Sequence, residues 1–208
     1  MRTTLFPAVL LALPLVALPA QQVTGSSDQD RRTSTVMVQT EDRGVLAAVS
    51  IAYGAPAWRE EHDGTIEQLR GNNYSRLGIG WWTTLDTVGP IEIGGTRIEA
   101  GSYYLGLQCG PDGACSLLLF DSSRAMQRRL LPFSTTLYTG AAKADLAAPL
   151  TFVKAARKEV IAKLEIEITA DRKEPTKGTL ALRWGRHEAT APLKFELVKD
   201  GTAAGGTK

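Results

Sequence analysis

The chain is poor in the residues from which catalytic centres and nucleic-acid surfaces are built. Its 208 residues include two cysteines and two histidines, and aromatic side chains make up 7% of the whole. The 24 basic residues nearly balance the 22 acidic ones, for a formal net charge of +2. That balance gives no electrostatic footprint for nucleic acid. No Gly-x-Ser-x-Gly elbow and no phosphate-cradling glycine loop occurs. Zinc needs three or four convergent ligands, and His187 would have to reach His62 from another strand. No cofactor or metal is therefore expected. The longest apolar run, residues 5–18, falls short of the roughly 20 residues that a membrane-spanning helix requires.

That run follows Arg2 and ends at Pro19-Ala20, which is the pattern of a secretory signal peptide over residues 1–20. It predicts a secreted or periplasmic protein with no transmembrane segment in the mature chain. Residues 21–34 are polar and read as a disordered leader. Residues 35–199 are expected to form a single domain, and residues 200–208 a flexible tail.

Twenty glycines and ten prolines suit a turn-rich β fold. Residues 76–115 carry the densest strand and turn signals. Gly94-Gly95 separates two short alternating runs, the signature of a tight hairpin. Tyr103, Leu105 and Leu107 share one strand face, and Pro111-Asp112-Gly113 makes the next turn between Cys109 and Cys115. Upstream, Val45, Ala47, Val49, Ile51 and Tyr53 alternate on one face. Residues 116–120 form a continuous apolar run suited to a buried strand. Asp121-Ser122-Ser123 caps an expected short helix over 124–130. Weaker strands are expected at 134–138 and 150–154, and a weak helix at 65–70. Alternation returns at 164–168, 180–184 and 193–197, with apolar residues opposing charged ones. The fold class that results is all-β, an antiparallel β-sandwich or jelly roll with one short helix.

Several short motifs carry a resemblance. They are Arg76-Leu77-Gly78, Thr83-Thr84, Ile91–Ile93 with its Gly94-Gly95 turn, Ala100-Gly101-Ser102-Tyr103, and Leu180-Ala181-Leu182-Arg183-Trp184 before a final alternating strand. Across residues 53–197 the chain resembles a bacterial family catalogued as domain of unknown function 2911. Tyr53 and Pro56 fit the family's Tyr-Ser-x-Pro element. The family's next Gly-Arg pair is absent, with Glu60-Glu61 near that place, and Ser75 stands where the family has Trp. The resemblance implies an exported bacterial β domain and brings no activity with it.

Three groups of residues bear on chemistry. Cys109 and Cys115 flank a five-residue loop at a hairpin base, where an oxidising compartment favours a disulfide over free thiols or a metal pair. Glu60-Glu61-His62-Asp63 has the residue types of an acid–base or hard-metal cluster but lacks the alternating spacing of a calcium loop, so a solvated charged loop is the better reading. His187 is expected to be exposed at a strand start. Glu92, Glu165 and Glu167 alternate onto the wet face of their strands, which argues against a glycosidase pair. Trp58, Arg59, Arg76 and Trp81 are the candidate ligand contacts, because tryptophan stacks on ring ligands and arginine holds anions. Trp81 and Trp82, adjacent on a strand, must face opposite ways. The expected function is a non-catalytic binding or interaction module of the cell envelope, with a glycan or a protein as ligand. The alternatives are an extracellular hydrolase using carboxylates and His62, or a purely structural envelope protein.

Overall fold

The computed structural model describes residues 30–41, 44–64, 74–110, 112–132 and 142–197. The expected signal peptide, most of the leader, the helix at 65–70, the strand at 134–138 and the C-terminal tail lie outside the described residues. The described strands are β1 (Arg31–Gln39), β2 (Val45–Gly54), β3 (Tyr74–Arg76), β4 (Thr83–Thr87), β5 (Ile91–Ile93), β6 (Thr96–Ile98), β7 (Gly101–Cys109), β8 (Cys115–Asp121), β9 (Leu146–Val153), β10 (Ile161–Ala170), β11 (Lys177–Gly185) and β12 (His187–Phe195). Among the described residues, a helix, α1 (Ser122–Gln127), interrupts them, and a helical turn lies at 62–64.

All pairings are antiparallel, and the strands join one sheet in the order β1-β2-β4-β7-β8-β9-β12-β11-β10. Beside this path, β3 pairs with β7, and β5 pairs with both β12 and β6. The all-β antiparallel class is the one the sequence predicts. The expected two faces are joined through β9, so the sheet nearly closes on itself as a barrel.

The seam between β10 and β1 is not a ladder. Across it, the Leu164 amide donates to the Pro56 carbonyl (3.0 Å), the Ile166 amide to the Tyr53 hydroxyl (3.0 Å) and the Ile168 amide to Ser34 Oγ (2.9 Å). Asp30 adds ion pairs to Lys163 and Arg32. These bonds explain a correction to the sequence reading. β1 begins at Arg31, four residues inside the expected leader, because pairing with β2 and the seam contacts order residues with little apolar character.

Strand alternation fills the interior. Ala47, Val49, Ile51 and Tyr53 of β2 meet Leu105 of β7, Ile166 and Ile168 of β10, and Leu193 and Phe195 of β12. β12 starts earlier than the alternation at 193–197 suggests, and Leu197 lies exposed beyond its end. The run at 117–120 is apolar throughout because both faces of β8 are covered. Leu117 and Leu119 point into the barrel, while Leu118 and Phe120 join Trp82, Tyr104, Ala125 and Leu130 beneath α1. Asp121 caps α1 by accepting from the Arg124 amide at 2.8 Å, as its sequence signal predicts. The Gly94-Gly95 turn has positive φ at both residues (57° and 86°), which matches the right-handed twist of β5 and β6.

Candidate functional site

One end of the barrel carries a cavity of about 310 Å³. Its walls come from β3, the bend at 77–80, and the ends of β7 to β12 nearest that mouth. Leu77, Ile79, Leu107, Leu164, Leu182 and Ala189 supply aliphatic surface, and Phe152 and Trp184 supply aromatic surface. The Cys109–Cys115 pair forms a disulfide at the base of the β7–β8 hairpin, and Cys115 borders the cavity. The pairing of Cys109 with Cys115 expected from sequence is present in the structure.

A strap, residues 55–64, leaves β2 and crosses this end. It is anchored to β10 by the Trp58 amide, which donates to the Ala162 carbonyl at 2.7 Å, and by a bridge between Ala57 and Lys163. Trp58 then packs edge-on against Trp184 (ring centroids 5.0 Å apart) and tilted against His187 (5.4 Å). The approach is close enough that residue 185 must be glycine. Gly185 has φ +61°, and a Cβ there would meet the Trp58 ring at 2.5 Å. A helical turn at 62–64 returns the chain over the mouth, where His62 stacks on Trp184 at 4.5 Å. Phe152 covers the other side of His187.

His187 corrects the sequence reading. It is 4% exposed, because the inward phase of Ala189, Ala191, Leu193 and Phe195 extends back to it. Its Nδ1 accepts weakly from the Ala155 amide (3.4 Å), so the proton sits on Nε2, which donates to Asp63 Oδ1 at 2.7 Å. Both ring nitrogens are thereby committed. His62 is likewise engaged, its Nδ1 accepting from the Arg59 amide at 2.9 Å. The strap's carboxylates are exposed: Glu61 pairs with Arg59 at the surface, and Asp63 reaches His187 rather than His62. Among the described residues, no three His, Cys, Asp or Glu side chains are grouped to hold a metal ion.

The four candidate contacts separate. Trp58 and Arg76 belong to this mouth, whereas Arg59 points to solvent. Arg76 alternates with the inward Ser75, and its Nη1 donates to the Gly80 carbonyl at 2.8 Å. Trp81 lies in the bend before β4, half-exposed over the outer face beside Met126 and Leu131, while Trp82 is fully buried. Neither tryptophan lies in a strand, and both border the same hollow beside α1 on the outer face, so the expected opposition across a strand does not apply and Trp81 is outside the cavity. Glu92 pairs with Lys194, and Glu167 with Arg183, both on the outer surface. The Arg183 guanidinium is held above its ordinary range by its bond to Glu167, against the effect of burial and with help from Glu188. Sequence reasoning missed Trp184 and His187 as partners of Trp58. Their shared inward phase on either side of the Gly185-Arg186 turn was the available signal.

Comparison with family models, curated proteins and solved structures finds no match, and the reading of this site therefore rests on its own geometry.

Proposed function

We propose that this chain is an exported, non-catalytic binding module that encloses a small, largely apolar ligand in the mouth of its barrel. The observation that carries this reading is the cavity itself. About 310 Å³ of space walled by leucine, isoleucine, phenylalanine and tryptophan is the size and character of a small-molecule site. Barrel mouths are a recurrent place for such sites, since inward side chains leave room where the strands end. A glycan fits this lining poorly, because its hydroxyl groups would lose water without gaining partners. Hydrolysis is not favoured either, since His62 and His187 each have a ring nitrogen taken up in holding the strap, and among the described residues no buried carboxylate stands beside them. Membership of the domain of unknown function 2911 family belongs to the same proposal, as does export through the N-terminal segment.

The test is equilibrium binding of N-phenyl-1-naphthylamine, an uncharged apolar probe whose fluorescence rises out of water. Saturable binding at one site per chain, lost or much weakened in Ala189→Phe while cooperative thermal unfolding persists, is the expected result. Absence of saturable binding to the folded chain would overturn the reading.

A further inference from the structure

The cavity's polar groups say what it would hold. Among the described residues, every polar side chain that borders it already has a partner inside the protein. Ser75 Oγ donates to the Arg76 carbonyl (3.1 Å), and Trp184 Nε1 donates to the Pro56 carbonyl (3.0 Å). Arg183 is bound by Glu188 at 2.9 Å and Glu167 at 2.6 Å. His187 is spent on Asp63 and Ala155, and Arg76 on Gly80. A ligand with hydroxyl, amide or charged groups inside would strip those groups of water and find the lining's donors already engaged.

The aromatic surfaces are occupied in the same way. Trp184 is stacked by His62 and met edge-on by Trp58, and His187 lies between Trp58 and Phe152. A ring ligand therefore gains little stacking at the mouth. What is left over is aliphatic wall.

Resting on the proposed binding reading, we infer that the cavity takes a single unbranched hydrocarbon chain, such as the acyl or alkyl tail of a lipid, with the tail inside and the polar head outside the mouth. The tail needs no hydrogen-bond partner, and each methylene moved from water to the leucine-lined wall adds to affinity. The strap and the bend at 77–80 then flank the point where the head emerges, with Ile79, 40% exposed, at the cavity's rim.

The experiment is displacement of N-phenyl-1-naphthylamine from the full chain by straight-chain primary alcohols from hexanol to tetradecanol. Affinity is expected to rise about fourfold per added methylene and then to level off once the cavity is filled. A fatty acid should compete as well as the alcohol of equal chain length, because the head lies outside. Ala189→Leu, a smaller intrusion than Ala189→Phe, should bring the plateau to a shorter alcohol. Probe binding without displacement by any alcohol would overturn the chain assignment and leave the binding reading standing. So would affinity independent of chain length, or stronger displacement by naphthalene or a hexose. Failure of the probe itself to bind would overturn both.

Discussion

Replacing Gly185 with alanine tests whether the strap is wedged onto the barrel end in the way the geometry requires. Two effects add. The left-handed backbone at residue 185 (φ +61°) disfavours any L side chain by about 1–2 kcal/mol. The new Cβ, 2.5 Å from the Trp58 ring, also drives that ring off Trp184 and His187. Truncation of a fully buried aromatic destabilises by about 3–5 kcal/mol. Trp58 is half-buried and displaced rather than removed, so this part is about 1–2 kcal/mol. The sum, about 2–4 kcal/mol, lowers Tm by roughly 4–16 °C for a chain of this length. Urea unfolding of the parent, Gly185→Ala, Trp58→Ala and the double variant separates the two parts. In the Trp58→Ala background the glycine substitution retains only its backbone effect, which leaves a coupling of about 1–2 kcal/mol between the sites. The reasoning is falsified if the two single changes add to within about 0.5 kcal/mol, because Gly185 would then serve the turn and not the tryptophan.

Two further outcomes concern the seam. Tyr53→Phe removes the acceptor for the buried Ile166 amide without opening a cavity, and should destabilise by about 1–3 kcal/mol in urea titration; a neutral result would mean that the amide finds another partner. The Asp30 carboxyl is held below its ordinary value by hydrogen bonds from Lys163 and then Arg32. A depressed carboxylate stabilises the fold above its unfolded pKa, about 3.9, and that contribution disappears as pH falls through the lower folded value. The stability difference between the parent and Asp30→Asn should therefore be present at neutral pH and vanish in acid, and a pH-independent difference would refute the linkage.

The alternation of apolar and polar residues revealed the strands because each strand records its own burial. β2, β7 and β11 are legible from their own residues, as are the Gly94-Gly95 hairpin, the Asp121 cap and the disulfide pair across a short loop. Closure was not legible. The bond from Ile166 to Tyr53 spans 113 residues and that from His187 to Asp63 spans 124, and no local pattern encodes such partners. The candidate site was half visible for the same reason. Trp58 stands out as an aromatic in a charged loop, but its receiving surface is assembled from two strands more than a hundred residues later. His187 was misjudged because a histidine beside Gly185-Arg186 looks like a turn residue until its phase is counted backward from Phe195. The leader expected over residues 21–34 overran the start of β1 because those residues are held by pairing and seam bonds rather than by apolar burial.

The seam gives the barrel a property that a fully laddered one lacks. Where strands are zipped, the circumference is fixed by the spacing of about 4.8 Å between neighbours. Between β10 and the edge made by β1 and β2, the span is bridged by Ser34 of β1, Tyr53 of β2 and the carbonyl of Pro56 just beyond β2, three unlike arms of different reach. Each of these can lengthen or let go on its own, without unpairing any ladder in the sheet. The ring therefore has an expansion joint where Tyr53 and Ser34 reach β10, whereas beside the cavity its girth is held by the backbone bonds of Pro56 and Trp58 to Leu164 and Ala162.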